Sequence, residues 1–238
     1  MPELPEVETI KNQLKEKIIG KKLDGRRIID VRRRAKLLII DFKDGSSLIF
    51  HLKLTGQLIF NGKETKFTRK IFNFGDGTKL FFNDARKFGW FKFVKSFKDD
   101  FGPEALQIRR RDFRSRLRKR SNSKIKPVLM DQKFIAGIGN IYSDEILFAA
   151  GVRPMRLVKS LKEQEIKKIF QNIKKILKAA IKHKGSSVEY YLDSHGKKGD
   201  YTKYHKVYQK QICQKCGTKI NRIKLAGRSS HYCPRCQS

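Results

Sequence analysis

The only four cysteines of the chain, Cys213, Cys216, Cys233 and Cys236, fall in two C-x2-C pairs with sixteen residues between them. Two tight knuckles of paired thiolates are zinc chemistry. Four sulfurs close a tetrahedral site with no open position, so the metal folds its surroundings and performs no reaction. A pair of redox dithiols is the competing reading, and it leaves two matched knuckles in a small polar tail unexplained. The stretch between the pairs, TKINRIKLAGRSSHY, reads as a hairpin presenting Arg222, Lys224, Arg228 and His231 to a phosphate backbone. One structural Zn2+ is therefore expected.

The charge points the same way. Lys and Arg number 56 against 23 Asp and Glu, a net charge of +33 in 238 residues, and this puts a polyanion first among partners. A generally Lys-rich proteome could raise the charge without a ligand, but the excess is large for that. The run RRRDFRSRLRKR at 109–120 reads either as a solvated helix face or as a non-specific phosphate grip. No apolar run reaches the length of a membrane span, and MPELPEVE carries acids where a signal peptide carries a basic region and an apolar stretch. With cysteines confined to ligand-like pairs, the expectation is a cytosolic or nucleoid-associated protein with no membrane partner.

These groups must be carried by two different kinds of chain. Val7, Ile10, Leu14 and Ile18 recur at helical spacing, with Gly20 as the stop. The acids of PELPEVE then suit the positive end of that helix. From Leu23 to about Val94 short β-rich stretches (LLIIDF, SLIFHLKL, KLFFN, WFKFV) alternate with DG, NG and GDGT turn signals, which predicts an antiparallel sandwich or barrel. Ser96 to Pro103 has no periodicity and marks a join. Beyond it the patterns are helical, the clearest being Ile166, Ile169, Phe170, Ile173, Ile176, Leu177, Ala180 and Ile181, closed by Gly185. Tyr201 to Ser238 holds too few apolar residues to fold by burial, and metal must hold it.

Seven segments, in order, carry a resemblance: MPELPEVET at the start, RRAK at 33–36, HLKLTG at 51–56, DARKFG at 84–89, FGPEAL at 101–106, KPVLMDQKFIAGIGNIYSDEILFAAGVRP at 126–154 and AGRSSHYCPRC at 226–236. Together they resemble the formamidopyrimidine-DNA glycosylase family over nearly the whole chain. The resemblance implies an α+β multi-domain fold: an N-terminal helix with an antiparallel β-sandwich (1–98), a linker (99–111), a helix-two-turn-helix domain (112–205) and a four-cysteine zinc-ribbon finger (206–238). A monomer is expected, with double-stranded DNA containing damaged bases or abasic sites lying in the cleft between the halves.

The same resemblance implies site roles. Pro2, freed by removal of Met1, is the amine nucleophile; Glu3 protonates the sugar ring oxygen as it opens, with Glu6 in support. Lys36 serves β-elimination, and Arg228 holds the lesion-side phosphate and takes part in δ-elimination. Asn140 and His51 grip the backbone, while Gly137 and Gly139 allow close approach of the hairpin. Extruding a base leaves a hole, which Leu54, Arg86 and Phe88 are expected to fill. Leu54 stands where the family has Met, which should tune opposite-base preference, and Lys87 replaces a second arginine, keeping charge but losing bidentate geometry. A family histidine near Phe67 to Arg69 is absent, the loop from Gly62 is short, and VYQK stands where the family reads VYGR. DSHGKKGDYTKYHKVY resembles the segment that caps the flipped base. The implied activity is a bifunctional glycosylase and AP lyase for oxidised purines. A non-catalytic binder of damaged DNA is the alternative from another class; an endonuclease VIII-like enzyme for oxidised pyrimidines is the nearer one, opposed by PELPEVE in place of a PEGPE start.

Overall fold

The computed structural model describes residues 1–238. They form two compact units, Met1–Asp99 with Ala180–Thr202, and Asp100–Ala179 with Lys203–Ser238. No helix is long and apolar enough to cross a membrane.

In the first unit, helix α1 (Leu4–Ile18) buries the expected stripe Val7, Ile10, Leu14 and Ile18. Steps of three and four residues keep that stripe on one face, and Gly20, with φ of 84°, lies just beyond the helix end. Eight strands follow: β1 (Lys22–Leu23), β2 (Arg26–Arg34), β3 (Leu37–Phe42), β4 (Ser47–His51), β5 (Gly56–Phe60), β6 (Thr68–Asn73), β7 (Lys79–Asp84) and β8 (Trp90–Val94). They pair antiparallel in two sheets, β1-β2-β3-β4-β8 and β5-β7-β6. Asp24 and Gly25 both have positive φ and form the two-residue turn that matches strand twist.

Four phenylalanines join the sheets. Phe50 (β4) and Phe91 (β8) meet Phe72 (β6) and Phe82 (β7), with edge-on ring pairs at 5.4, 5.1 and 5.7 Å. Such pairs add about 0.5–1.5 kcal/mol each beyond the area they bury. Residues 186–200 have almost no regular structure, so side chains satisfy their backbone. Gln13 of α1 donates to Asp193 Oδ2 at 2.9 Å and its Oε1 accepts the Ser194 N–H and hydroxyl, while the Phe60 N–H donates to the Ser194 carbonyl.

The second unit contains α2 (Arg110–Arg118), α3 (Ile125–Met130), α4 (Asn140–Ala150) and most of α5 (Glu163–Lys182). Phe113 of α2 packs against Phe134 and against Phe170 of α5, each at 5.7 Å. The α5 stripe narrows to Ile169, Ile173, Leu177 and Ala180 as its fully buried members. The arginine-rich run divides its duties. Arg114 pairs with Glu163, Arg116 donates to the Phe134 and Lys133 carbonyls and Arg120 pairs with Asp131, whereas Arg109, Arg110, Arg111, Arg118 and Lys119 are exposed. The chain ends in the hairpin β9 (Asn221–Leu225) and β10 (Arg228–Tyr232), turned by Ala226 and Gly227, both at positive φ. Its core is only Val207, Cys213, Ile220 and Cys233, with Phe148 alongside.

Candidate functional site

Pro2 and Glu3 lie at the head of α1, both buried, Glu3 to 1% exposure, under an exposed Met1. Glu3 is the N-cap. Its backbone N–H donates to Glu6 Oε2 at 2.7 Å and its carboxylate takes the backbone N–H of Glu6, a reciprocal capping box that satisfies orphan donors of the first turn. The other Glu6 oxygen accepts the Ser186 N–H at 2.7 Å. A Cβ on Gly185 would come within 2.7 Å of that oxygen, so glycine is required there for close approach as well as for its φ of 84°.

Lys36 is buried and occupies the turn between β2 and β3 beside Ala35, whose φ is 53°. A strut fixes this turn. Glu8 of α1 accepts from Arg33 Nε at 2.6 Å, and Arg33 Nη1 donates to the Ala35 carbonyl at 2.8 Å. Burial pushes the Glu8 carboxyl up, but Lys11 and Arg33 together outweigh it and hold the group below its ordinary value. Strand register then places Leu37 opposite His51 and His51 opposite Trp90. Burial, with Lys53 and Lys36 adding repulsion, lowers the His51 pKa to about 4, so the ring is neutral at pH 7. Its Nδ1 accepts the Lys53 N–H at 3.0 Å, which leaves the proton on Nε2 as a donor.

Leu54, Arg86, Lys87 and Phe88 sit on two turns, one between β4 and β5 and one between β7 and β8. Arg86, Lys87 and Phe88 are exposed, Phe88 to 53%, and the Arg86 guanidinium lies 5.0 Å from the Phe88 ring centre. Asp84, 1% exposed, ties the turns together. Its carboxylate accepts the Thr55 hydroxyl, the Gly89 N–H at 2.6 Å and the Arg86 N–H at 3.3 Å. Four of the eight non-glycine residues with positive φ, Ala35, Lys53, Lys87 and Ala226, are candidate residues or stand within two positions of one. Strain concentrated in this way marks turns whose conformation the surroundings impose. Where the family histidine is missing, Phe67 is 41% exposed with Lys66 Nζ 5.3 Å from its ring.

In the second unit Asn140 and Arg228 line one groove of about 880 Å³, together with Tyr208, Lys210, Lys219 and Arg222. Asn140 opens α4 after Gly139, and its Oδ1 is buried with no hydrogen-bond partner. Gln132 shapes the preceding loop, accepting the Gly137 N–H and donating to the Ile138 carbonyl, both at 2.8 Å. Two adjacent acids of α4 set the finger. Asp144 pairs with Lys126 at 2.7 Å, both fully buried, and accepts the Ser230 hydroxyl and the His231 N–H at 3.0 Å. Glu145 accepts the N–H groups of Lys206, Val207 and Tyr208 at 2.9, 3.0 and 2.8 Å; burial pushes its carboxyl up against their pull. His231 lines the same groove but is not exposed as its sequence position suggests. It is buried, its Nδ1 3.2 Å from Asp144 and its ring 5.1 Å from that of Tyr208. Arg222 and Arg228 remain exposed.

The four cysteine sulfurs lie within 4.8 Å of one another, with Cys213 to Cys236 at 3.9 Å and Cys216 to Cys233 at 3.5 Å. A tetrahedron with Zn–S bonds of about 2.3 Å has edges of about 3.8 Å, so the cage fits zinc and offers it no open position. The cysteines and the hairpin make a zinc finger.

Spacing alone did not reveal the bracing residues Asp84, Thr55, Gln132, Asp144 and Glu145. All five stand inside the matching segments HLKLTG, DARKFG and KPVLMDQKFIAGIGNIYSDEILFAAGVRP, which is the signal the sequence offers. The model of the formamidopyrimidine-DNA glycosylase N-terminal domain matches residues 20–91, that of the formamidopyrimidine-DNA glycosylase H2TH domain residues 101–191, and that of the zinc finger found in FPG and IleRS residues 210–238. The chain is 40% identical to a formamidopyrimidine-DNA glycosylase of Carboxydothermus hydrogenoformans and 39% identical to one of Listeria monocytogenes, with 100% of both partners covered in each comparison. Its fold is similar to that of the MutM (Fpg) protein of Thermus thermophilus (TM-score 0.92, 33% identity, 99% of this chain and 98% of that one). It is also similar to Lactococcus lactis Fpg solved in complex with DNA containing an abasic site (TM-score 0.90, 34% identity, 99% of both). With matches that span its β-sandwich, its helical region and its zinc finger, the chain belongs to the formamidopyrimidine-DNA glycosylase family of DNA-repair proteins.

Proposed function

We propose that this chain is a bifunctional DNA glycosylase and AP lyase that removes oxidised purines, such as 8-oxoguanine and formamidopyrimidines, from duplex DNA and cuts the strand by β,δ-elimination. The observation that carries the reading is Pro2 followed by Glu3 at the buried, capped head of α1 in a chain of this family. Once Met1 is removed, Pro2 offers a secondary amine. Its nitrogen bonds to C1′ of the damaged nucleotide as the bond from C1′ to the base breaks, and the base departs with a proton. Glu3 gives a proton to the ring oxygen as the C1′–O4′ bond opens, and the nitrogen lone pair makes the iminium. The iminium acidifies C2′. Loss of that proton expels the 3′-phosphate, and a second elimination expels the 5′-phosphate, with Lys36 and Arg228 as the cations that serve the two departures.

Binding falls to the remaining residues. His51 contributes a neutral Nε2–H donor, while Asn140 and Arg228 grip the backbone from the groove they share. Leu54, Arg86 and Phe88 fill the space that the extruded nucleotide leaves, and Lys87 adds charge beside them. The zinc finger supports the hairpin that carries Arg228 and takes no part in bond making.

Borohydride trapping tests the reading. Protein whose N-terminus has been read by mass spectrometry is incubated with duplexes holding 8-oxoguanine, an oxidised pyrimidine or an abasic site. The expected result is a covalent adduct on the 8-oxoguanine and abasic duplexes that Pro2→Gly diminishes. Absence of the adduct, or an undiminished one from Pro2→Gly, refutes the chemistry; preference for the pyrimidine duplex refutes the substrate.

A further inference from the structure

Gln209 occupies the third position of a four-residue turn closed by the Lys210 N–H on the Val207 carbonyl at 3.2 Å, and its φ is 57°. With positive φ that position favours glycine or asparagine, so an extended carboxamide side chain there is strained. The turn does not need it. Three backbone N–H groups on Glu145 and the Tyr208 ring against His231 already fix the backbone, and Gln209 itself is exposed. Strain kept without benefit to the fold points to use elsewhere.

Gln209 lines the same groove as Asn140, Lys210 and Arg228, and no carboxylate lines that groove. Cations and amides without an acid are a site for an anion. We propose that Gln209 is a DNA-backbone ligand: its carboxamide N–H donates to a non-bridging oxygen of a phosphate gripped by Asn140 and Arg228, and its strained backbone aims the amide there in advance. A carboxamide adds a hydrogen bond without displacing a counterion, so it raises affinity and leaves the salt dependence unchanged. This inference rests on the proposed action on DNA.

The test measures binding of the full-length, zinc-loaded protein to a duplex containing a tetrahydrofuran abasic analogue, by fluorescence anisotropy over a salt series. Gln209→Gly should weaken binding about tenfold, the effect of losing one charge-assisted hydrogen bond. Its salt slope should match that of the wild type and its melting temperature should be equal or higher. Lys210→Ala should instead shrink the slope by about one unit of log Kd per log salt. Gln209→Asn, which keeps the amide and tolerates the turn, should bind between the two. Unweakened binding by Gln209→Gly, a changed slope or a lower melting temperature each overturn the proposal. Borohydride trapping by the wild type separates the two failures: if it traps and Gln209→Gly binds normally, only this inference falls, and if it neither traps nor prefers the abasic duplex, both fall.

Discussion

The exchange Asp84→Asn keeps the shape of a side chain that is 1% exposed and removes the charge that ties two turns together. The carboxylate takes three donors: the Thr55 hydroxyl, the Gly89 N–H and the Arg86 N–H. An amide has one acceptor oxygen. The least costly arrangement gives that oxygen to Gly89, whose N–H cannot turn away, and lets the new NH2 donate to the Thr55 oxygen, which already accepts from the Arg86 N–H at 3.0 Å. The Thr55 proton then loses its partner, and the remaining bond becomes neutral. Together these changes should cost about 2 kcal/mol. If all of it appears in the alignment of Leu54, Arg86 and Phe88, excision of 8-oxoguanine from duplex DNA falls about thirtyfold. Trapping at a preformed abasic site should fall far less, because no stacked base has to be drawn out. Single-turnover excision, trapping at an abasic site and urea unfolding, measured on the same preparation, decide the matter. Equal losses of excision and trapping, or a destabilised variant with intact excision, refute the coupling of the two turns. Thr55→Val, which removes only the hydroxyl, should shift excision in the same direction by less.

Chelating the zinc should release the finger, because its four-residue core is too small to fold without a metal that is worth about 10–16 kcal/mol to such modules. Hydrogen exchange should show residues 206–238 losing protection while β3 and β4 keep theirs, and retained protection in the finger would refute the metal's role. Stability should fall in acid through His51 and His205, both lowered to about 4 by burial, with Lys53 and Lys36 adding repulsion at His51 and Lys210 at His205. Their folded values lie below the ordinary value of 6.5, so their contribution is fully present above pH 6.5 and is lost as pH falls towards 4. At pH 5 each should have lost about 2 kcal/mol. His51→Asn, which retains an acceptor for the Lys53 N–H, should flatten the pH dependence of the urea midpoint by that amount, and an unchanged profile would show that His51 does not titrate in this range.

What could be read from the sequence was whatever depends on short-range pattern. The α1 stripe, the DG turn at Asp24 and Gly25, the α5 stripe and the cysteine knuckles each repeat a local rule, and each stands where its residues place it. Which residues pack into one unit was not readable, because that depends on pairings far apart in the chain. Residues 180–202 join the first unit through Gln13 with Asp193 and Glu6 with Ser186, separated by 180 residues in each case, and no periodicity announces such a contact. His231 illustrates the same limit. On a hairpin rich in arginine and lysine it reads as one more exposed side chain, but an acid 87 positions earlier holds its Nδ1 and buries most of the ring at the edge of the groove.

The acids make sense of the charge. The six that are buried are Glu3, Glu6, Asp84, Asp144, Glu145 and Asp193, out of 23 in the chain. Glu3 and Glu6 cap the helix that bears Pro2, Asp84 joins the turns that bear Leu54 and Phe88, and Asp144 and Glu145 fix the segments that border the Asn140 and Arg228 groove. Asp193 accepts the His195 and Lys197 N–H groups in the segment that resembles a cap over the flipped base. A carboxylate satisfied by backbone N–H groups is stable in the interior. Inward acids brace the candidate turns, and the 56 Lys and Arg against 23 acids supply the positive surface that a polyanion meets.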